Sequence, residues 1–173
     1  MSPLQSISTK ELSGLENVNT EQEMMQLIRL MRKERPVIHD IVIGCSRNNQ
    51  DLNKAYQFKV LWETNGGFDG NGGTVLAIVS WNPYASSFNK YVNRIAKHVP
   101  DGFVALGESR GFEQIMRRLH RFTDIKANRT FVLSTFESQH MINSAGMFIF
   151  EGMKGTSKLG TYFSVHDGLI QIT

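Results

Sequence analysis

The sequence predicts an α+β fold, with a mostly antiparallel sheet, two or three helices packed against it and a mobile N-terminal arm. Short β-branched segments alternate with a few helical stripes, and the step from His166 to Gly168 is typical of a hairpin turn between two strands. The 173 residues, of which 40% are hydrophobic, suffice for one sizeable core. We therefore expect a flexible arm over residues 1–19 and a single globular domain over residues 20–173.

Apolar residues at helical spacing indicate three helices. Thr20 precedes Glu23 at the spacing of a capping box, and Pro36 ends the first helical pattern. The first stripe contains Met24, Leu27, Ile28 and Met31. The second, which ends before Pro100, contains Phe88, Val92, Ile95 and Val99. The third contains Phe112, Ile115, Met116, Leu119 and Phe122.

The predicted strands are short and apolar or alternating. They cover residues 36–45, 55–63, 74–81, 103–106, 129–136, 147–150, 161–165 and 169–172. In the second, Tyr56, Phe58 and Val60 alternate with more polar neighbours. We interpret the glycine-rich residues 65–73 as a loop between two antiparallel strands, and residues 154–158 as a turn. Because a strand rather than a helix follows the loop, it does not suit phosphate binding.

The residues that carry catalysis are sparse, so we expect no enzyme, no cofactor and no metal. Cys45 has no second thiol with which to form a disulfide or a metal site. The histidines are widely separated in the sequence: His39, His98, His120, His140 and His166. Nothing in the sequence orients His39 toward Cys45, and we interpret Cys45 as a buried or idle thiol. Neither a secretory leader nor an apolar run of membrane-spanning length is evident.

The positive charge is concentrated on two predicted helices. The chain carries a net charge of +3, yet residues 86–130 hold nine basic residues against four acidic ones. On the second helix, Lys90, Arg94 and Lys97 fall on the side opposite the apolar stripe, and the third helix has a similar ridge. That ridge contains Arg117, Arg118 and Arg121, and Lys126 and Arg129 extend it. A solvated helix face is the ordinary explanation of one ridge, but two together favour an anionic partner.

The order of features between residues 74 and 122 resembles the central part of rhabdovirus matrix proteins. A Thr-Val strand leads into an Asn-Pro-aromatic step, a helix, a short apolar strand, and a Gly-basic-x-Phe turn that opens another helix. The residues that carry this pattern are Thr74, Val75, Asn82, Pro83, Tyr84, Ser87, Phe88, Phe103, Leu106, Gly107, Arg110, Gly111 and Phe112. The similarity covers less than a third of the chain.

The resemblance implies a structural virion protein, of the plant-infecting, cytorhabdovirus-like kind, that self-associates and links the nucleocapsid to the envelope membrane during budding. It implies that the basic ridges bind the viral ribonucleoprotein, in the virion and in the host cytoplasm, at host membranes or in the nucleus. The arm would contact a neighbouring copy through Pro3, Leu4, Ile7, Leu12 and Leu15. Membrane contact would use either the basic ridges on an anionic leaflet or the apolar residues Phe122 and Ile125 after the third helix. The chain departs from the family in lacking a Pro-Pro-x-Tyr motif and a lysine cluster near Met1.

Two alternatives stay open from the sequence. An RNA-binding viral regulator, such as a silencing suppressor, would use the same arginines directly on RNA phosphates. An enzyme would require an enclosed pocket with converging ionisable groups that only the fold assembles.

Overall fold

Strands and helices alternate along most of the chain. A computed structural model describes the backbone of residues 9–173 and the side chains from residue 19 onward. The elements follow in the order α1 (Thr9–Met31), β1 (Asp40–Ser46), α2 (Asn49–Asn65), β2 (Thr74–Trp81), α3 (Asn89–Ala96), β3 (Gly102–Leu106), α4 (Phe112–Phe122), β4 (Thr130–Val132), α5 (Gln139–Ala145), β5 (Lys154–Thr156), β6 (Tyr162–His166) and β7 (Leu169–Ile172). This alternation is typical of α/β proteins.

The strands form one seven-stranded sheet in the order β2-β1-β3-β4-β5-β6-β7. Strand β1 pairs in parallel with β2 and β3, and the parallel pairing continues through β4 to β5. Only β6 and β7 are antiparallel to their neighbours. The predicted α+β class with a mostly antiparallel sheet is therefore wrong. The fold is α/β with a mostly parallel sheet.

Burial on both faces explains the parallel arrangement. Ile41 to Ser46 and all of β3 are buried, because helices cover both sides of the sheet. Helices α1 and α2 cover one face, where Leu27, Phe58 and Trp62 share a core cluster with Ile43. Helices α3, α4 and α5 cover the other face and form a second, larger cluster. Strands buried on both faces are continuously apolar, so they lack the alternation that marks an antiparallel sheet.

The predicted strand at residues 55–63 is part of helix α2. Asn48 caps this helix, since its side chain accepts a hydrogen bond from the backbone N–H of Asp51. The buried positions of α2 are Asp51, Ala55, Phe58 and Trp62, whose spacing is helical. Tyr56 and Val60 are exposed, so the alternation that suggested a strand does not correspond to a buried face. Residues 65–73 consequently join a helix to β2 and not two antiparallel strands.

Of the other helices, strands and turns predicted from the sequence, some are confirmed and others are wrong. The first stripe, from Met24 to Met31, is buried, as is most of the other two. Residues 166–168 form the expected hairpin turn, in which Asp167 and Gly168 both have positive φ, 53° and 77°. Residues 147–150 form no strand, and the segment interpreted as a turn contains β5. Helix α5 was not predicted, because its seven residues are too few for a periodic stripe.

The self-association residues predicted in the arm, Pro3, Leu4, Ile7, Leu12 and Leu15, lie outside the described side chains, although the backbone of residues 9–19 belongs to helix α1. The division into an arm and one domain stays a prediction.

Candidate functional site

Polar loops meet at the carboxyl edge of the parallel strands. Helix α2 leaves β1 toward one face of the sheet, while α3 and α4 leave β2 and β3 toward the other. In open α/β sheets, ligands bind outside the carboxyl ends of the strands, where neighbouring strands send their helices to opposite faces. Strands β1 and β3 are such a pair, so a ligand site is expected at the loops that follow them.

The crevice between β1 and β3 is filled by the side chain of Asp51, which is only 4% exposed. Its Oδ2 accepts hydrogen bonds from Asn48 Nδ2, at 3.0 Å, and from the backbone N–H of Glu108, at 2.9 Å. Gly107 leaves room for this carboxylate, since a Cβ at that position would lie 2.3 Å from Asp51 Cγ. A carboxylate thus already occupies the N-terminus of α2, and charge repulsion and lack of space both oppose a phosphate there.

An open cleft of about 700 Å³ lies beside this crevice, between Arg47 and the loop that joins β2 to α3. Two cationic side chains line it, Arg47 and Lys90, together with the tyrosines Tyr84 and Tyr91. Its remaining polar residues are Asn82, Ser86, Ser87 and Asn89. The cleft lining therefore combines cations, aromatic rings and neutral hydrogen-bonding groups, and it contains no acidic residue.

Tyr91 is held in place in the cleft by burial and by a hydrogen bond. Its ring is buried, and its hydroxyl accepts a hydrogen bond from the backbone N–H of Asn82 at 3.1 Å. The guanidinium carbon of Arg47 lies 5.8 Å from the ring centroid, and Lys90 Nζ lies 5.1 Å from it. Burial raises the pKa of Tyr91, but the Asn82 hydrogen bond and the charges of Arg47 and Lys90 outweigh it, so that this pKa lies below its ordinary value. The pKa is lowered first by the Asn82 hydrogen bond and then by the two positive charges.

The cations of the cleft differ from a neighbouring arginine in their partners. Arg110 Nε lies 3.3 Å from Glu108 Oε1, and Arg110 also donates to the hydroxyl of Tyr84. Neither Arg47 nor Lys90 forms an ion pair with any acid of residues 19–173. The positive charge of Arg110 is therefore balanced within the protein, whereas the charges of Arg47 and Lys90 are available to a ligand.

The structure separates the basic residues that the sequence grouped into ridges. Lys90 lines the cleft, while Arg94 and Lys97 are exposed farther along α3 and its C-cap. Arg121 lies over the Phe122 ring, at 5.2 Å. The anion-binding role of Arg94, Lys97 and Arg121 stays a prediction.

The other basic residues have partners within the protein. Arg117 pairs with Glu113, and Arg118 donates to Asn89 and Gln114. Lys126 donates to the backbone carbonyls of His120 and Thr123, and Arg129 donates to those of Asp101 and Pro36. Lys126 and Arg129 thus stabilise loops, and the anion-binding role expected of these basic residues stays a prediction.

Phe122 and Ile125, the predicted membrane contacts, lie at the amino edge of the sheet, away from the cleft. They line a separate depression with Val99 and Pro100, and Phe122 is 67% exposed. No helix in the described part of the chain is long and apolar enough to cross a bilayer. Their assignment to membrane contact depended on the family resemblance.

Cys45 is buried and unreactive, as the sequence suggested. Burial, assisted by the negative charge of Asp51, raises the pKa of its thiol to about 12. His39 lies just before the opposite end of β1, where its Nδ1 is 2.8 Å from Asp40 Oδ1. The two residues therefore cannot act as a nucleophile and base. Within the described residues, no cluster of three histidine, cysteine or acidic side chains is arranged to hold a metal ion.

Sequence reasoning found one residue of the cleft, Lys90, and missed its partner Arg47 together with Asn82 and Tyr91. The signal was present, because Arg47 directly follows β1 and Asn82 directly follows β2. Polar residues after two parallel strands meet at the same edge of a sheet, whereas after two antiparallel strands they lie at opposite edges. The wrong fold class therefore concealed the site.

Neither a protein-family model nor a curated protein matches this sequence. Solved structures do match the fold. A periplasmic binding protein type 1 from Bordetella pertussis Tohama I superposes with a TM-score of 0.64 at 16% identity, over 79% of this chain and 33% of that one. An ABC transporter solute binding protein from R. palustris, in complex with benzoate, gives 0.60 at 16% identity, over 79% and 34%. A leucine binding protein from Thermotoga maritima MSB8 gives 0.58 at 14% identity, over 77% and 36%. The chain thus spans about a third of each of these proteins.

These neighbours overturn the resemblance to rhabdovirus matrix proteins. The fold that the chain shares is that of bacterial periplasmic binding proteins, in which a mostly parallel sheet replaces the expected antiparallel one. The roles inferred from the resemblance are wrong for the same reason, namely nucleocapsid binding, self-association, budding and membrane linkage, and the RNA-binding alternative is wrong as well. The expected partners and the location in the virion or host cell are corrected with them. The neighbours are described as binding and transport proteins and not as enzymes, in agreement with the prediction of a non-enzymatic chain.

Proposed function

We propose that this protein binds a small organic anion in the cleft at the carboxyl edge of its sheet. The observation that carries the proposal is the pair of cations, Arg47 and Lys90, that line the cleft without an acidic partner. An uncompensated pair of cations that lines an open cleft attracts an anion. The proposal concerns ligand binding alone, because the chain spans only about a third of its structural neighbours.

The shape and chemistry of the lining favour a carboxylate on a small organic body. Arg47 offers a planar fork of donors that matches a carboxylate, and Lys90 offers a point charge close to it. The hydroxyls of Ser86 and Ser87 and the side chain of Asn89 add neutral hydrogen-bonding groups. The exposed ring of Tyr84, of which 74% is accessible, provides an apolar surface for the rest of the ligand. Benzoate and leucine, named with two of the structural neighbours, both carry a carboxylate.

The test is a calorimetric titration with matched pairs of compounds. Benzoate and benzamide have nearly the same shape but differ in charge, and leucine and leucinamide form a second such pair. We expect at least one carboxylate to bind about tenfold or more tightly than the amide that replaces it, since a charge-assisted hydrogen bond contributes about 1.5–3 kcal/mol. Equal affinity for acid and amide, or no binding of acetate, benzoate and leucine at millimolar concentration, would contradict the proposal.

A further inference from the structure

Within the part of the chain that the structure describes, strand β7 forms one edge of the sheet and pairs only with β6. In an antiparallel pair, alternate residues direct their N–H and C=O groups toward the partner strand and away from it. Thr173 exchanges hydrogen bonds with Tyr162 of β6, and the register continues with Gln171 opposite Ser164. The backbone groups of Ile170 and Ile172 therefore point away from the sheet, where a further strand would pair. Such an edge is a template for association with another chain.

The side chain of Gln139 occupies part of this edge. The backbone N–H of Ile170 donates to Gln139 Oε1 at 3.0 Å, and Gln139 Nε2 donates to the carbonyl oxygen of Gly168 at 2.7 Å. A single carboxamide thus supplies one acceptor and one donor to the same strand. A residue of an adjacent strand presents its own N–H and C=O on one side in the same way, so Gln139 stands in for part of a neighbouring strand.

Gln139 is held in this position by its helix. It is the first residue of α5, whose N-cap Ser138 accepts a hydrogen bond from the backbone N–H of Met141. Met141 and Ile142 anchor the helix in the core, and Asn143 Oδ1 accepts a second hydrogen bond from Gln139 Nε2 at 2.9 Å. The carboxamide is therefore oriented before any strand could approach. Replacing it with an incoming strand would gain little free energy in hydrogen bonding.

We propose that Gln139 blocks the β7 edge against pairing with a second copy of this chain. A second copy is the partner that fits, because two antiparallel β7 strands related by a two-fold axis present the same surface to each other. The sequence Leu169–Ile172 contains neither charge nor proline, so two copies meet without repulsion and without a missing donor. Leu169 and Ile172, which are 60% and 46% exposed, point to opposite faces of β7, so each would contact the second copy on its own face of the new pair. This inference does not depend on the proposed ligand site.

The test compares Gln139→Ala with the wild-type protein by analytical ultracentrifugation over a wide concentration range. We expect a wild-type monomer and a reversible dimer for Gln139→Ala. Hydrogen exchange at the Ile170 amide should become about tenfold faster in the dilute, monomeric variant, because this amide loses its acceptor. Adding Ile172→Lys to Gln139→Ala should restore the monomer, because the two lysines then lie close together near the two-fold axis on the same face of the pair.

Gln139→Glu keeps the test valid if the alanine variant does not fold. A glutamate suits the first turn of a helix and retains an acceptor for Ile170, but it cannot donate to Gly168. We expect it to dimerise less than an alanine at this position. The proposal is overturned if folded variants at residue 139 remain monomeric at submillimolar concentration, if the exchange of the Ile170 amide is unchanged, or if the wild-type protein already pairs through β7.

Discussion

The two ends of the parallel strands use their charged residues differently. At the amino end, Asp101 Oδ2 accepts hydrogen bonds from the backbone N–H groups of His39, at 3.0 Å, and Asp40, at 2.9 Å. Arg129 spans the same region by donating to the carbonyls of Asp101 and Pro36. At the carboxyl end, Arg47 and Lys90 line an open cleft without an acidic partner. The charged residues compared at the amino end stabilise loops, whereas Arg47 and Lys90 at the carboxyl end have no acidic partner among residues 19–173.

This difference shows why a count of basic residues is a poor guide to a binding surface. Arg129 and Lys90 contribute equally to the charge of residues 86–130. Arg129, however, donates its hydrogen bonds to backbone carbonyls, whereas Lys90 lies over the Tyr91 ring. Arg47 lies outside that segment and still belongs to the site. The partners of a charged group decide its role, and they are set by the order of strands in the sheet.

The largest expected effect comes from breaking the closed crevice at the carboxyl end. Gly107→Ala places a Cβ 2.3 Å from Asp51 Cγ at a backbone φ of +86°. We expect it to lower the free energy of unfolding by about 3 kcal/mol, measured by urea denaturation, because overpacking and backbone strain add. Gly160→Ala is the control, since Gly160 has a similar φ of +79° and nothing within 4 Å, and it should cost only about 1 kcal/mol. Equal losses would show that Asp51 does not fill the crevice.

The second prediction tests the structural role of Asp101 at the amino end of the parallel strands. Asp101→Ala leaves two backbone N–H groups without their acceptor, and we expect a loss of about 2 kcal/mol in the free energy of unfolding. Asp124→Ala removes the same charge from an exposed position at the same end and should change stability by less than about 0.5 kcal/mol. Ligand affinity should stay unchanged in both variants. A loss of affinity in Asp101→Ala at full folding would mean that the two ends are coupled.

A third effect, confined to alkaline pH, is the pH dependence that Cys45 contributes. Its thiol ionises near pH 9.0 when unfolded and at about 12 when folded. The folded state binds the proton more tightly, so the stabilisation is complete below pH 9 and is lost as the pH rises toward 12. We expect the free energy of unfolding to fall by up to about 1.4 kcal/mol per pH unit in this range. The slope should be shallower in Cys45→Ala, and an identical slope in the two proteins would contradict the assignment.

The local elements were predictable from the sequence, but their assembly was not. Met24, Leu27, Ile28 and Met31 at helical spacing identified α1, and the β-branched run before Cys45 identified β1. The stretch from Tyr56 to Val60 misled, because its alternation involves side chains of which Tyr56 and Val60 are exposed. Whether two strands pair in parallel depends on the path of the chain between them. Between β1 and β2 that path is helix α2, where the sequence predicts a strand.

The site was less predictable than the fold. Lys90 was identified as a cation facing solvent, which is a local property of an amphipathic helix. The meeting of Lys90 with Arg47 and Tyr91 depends on β1 and β2 being parallel neighbours, with loops that leave from the same edge. No periodicity in the sequence reports that pairing. A continuous apolar run such as β3, which is buried on both faces, was the available signal for it.

One calorimetric comparison tests the central claim most directly, namely that the cations of the cleft bind an organic anion. The two variants are Arg47→Ala/Lys90→Ala and Arg94→Ala/Lys97→Ala, which remove the same charge from inside and outside the cleft. With the tightest carboxylate of the benzoate, leucine and acetate series as the probe, we expect the cleft variant to lose about tenfold or more in affinity. The variant outside the cleft should lose less than about twofold, as expected of long-range charge alone. Equal losses in the two variants, or full affinity without Arg47 and Lys90, would contradict the account.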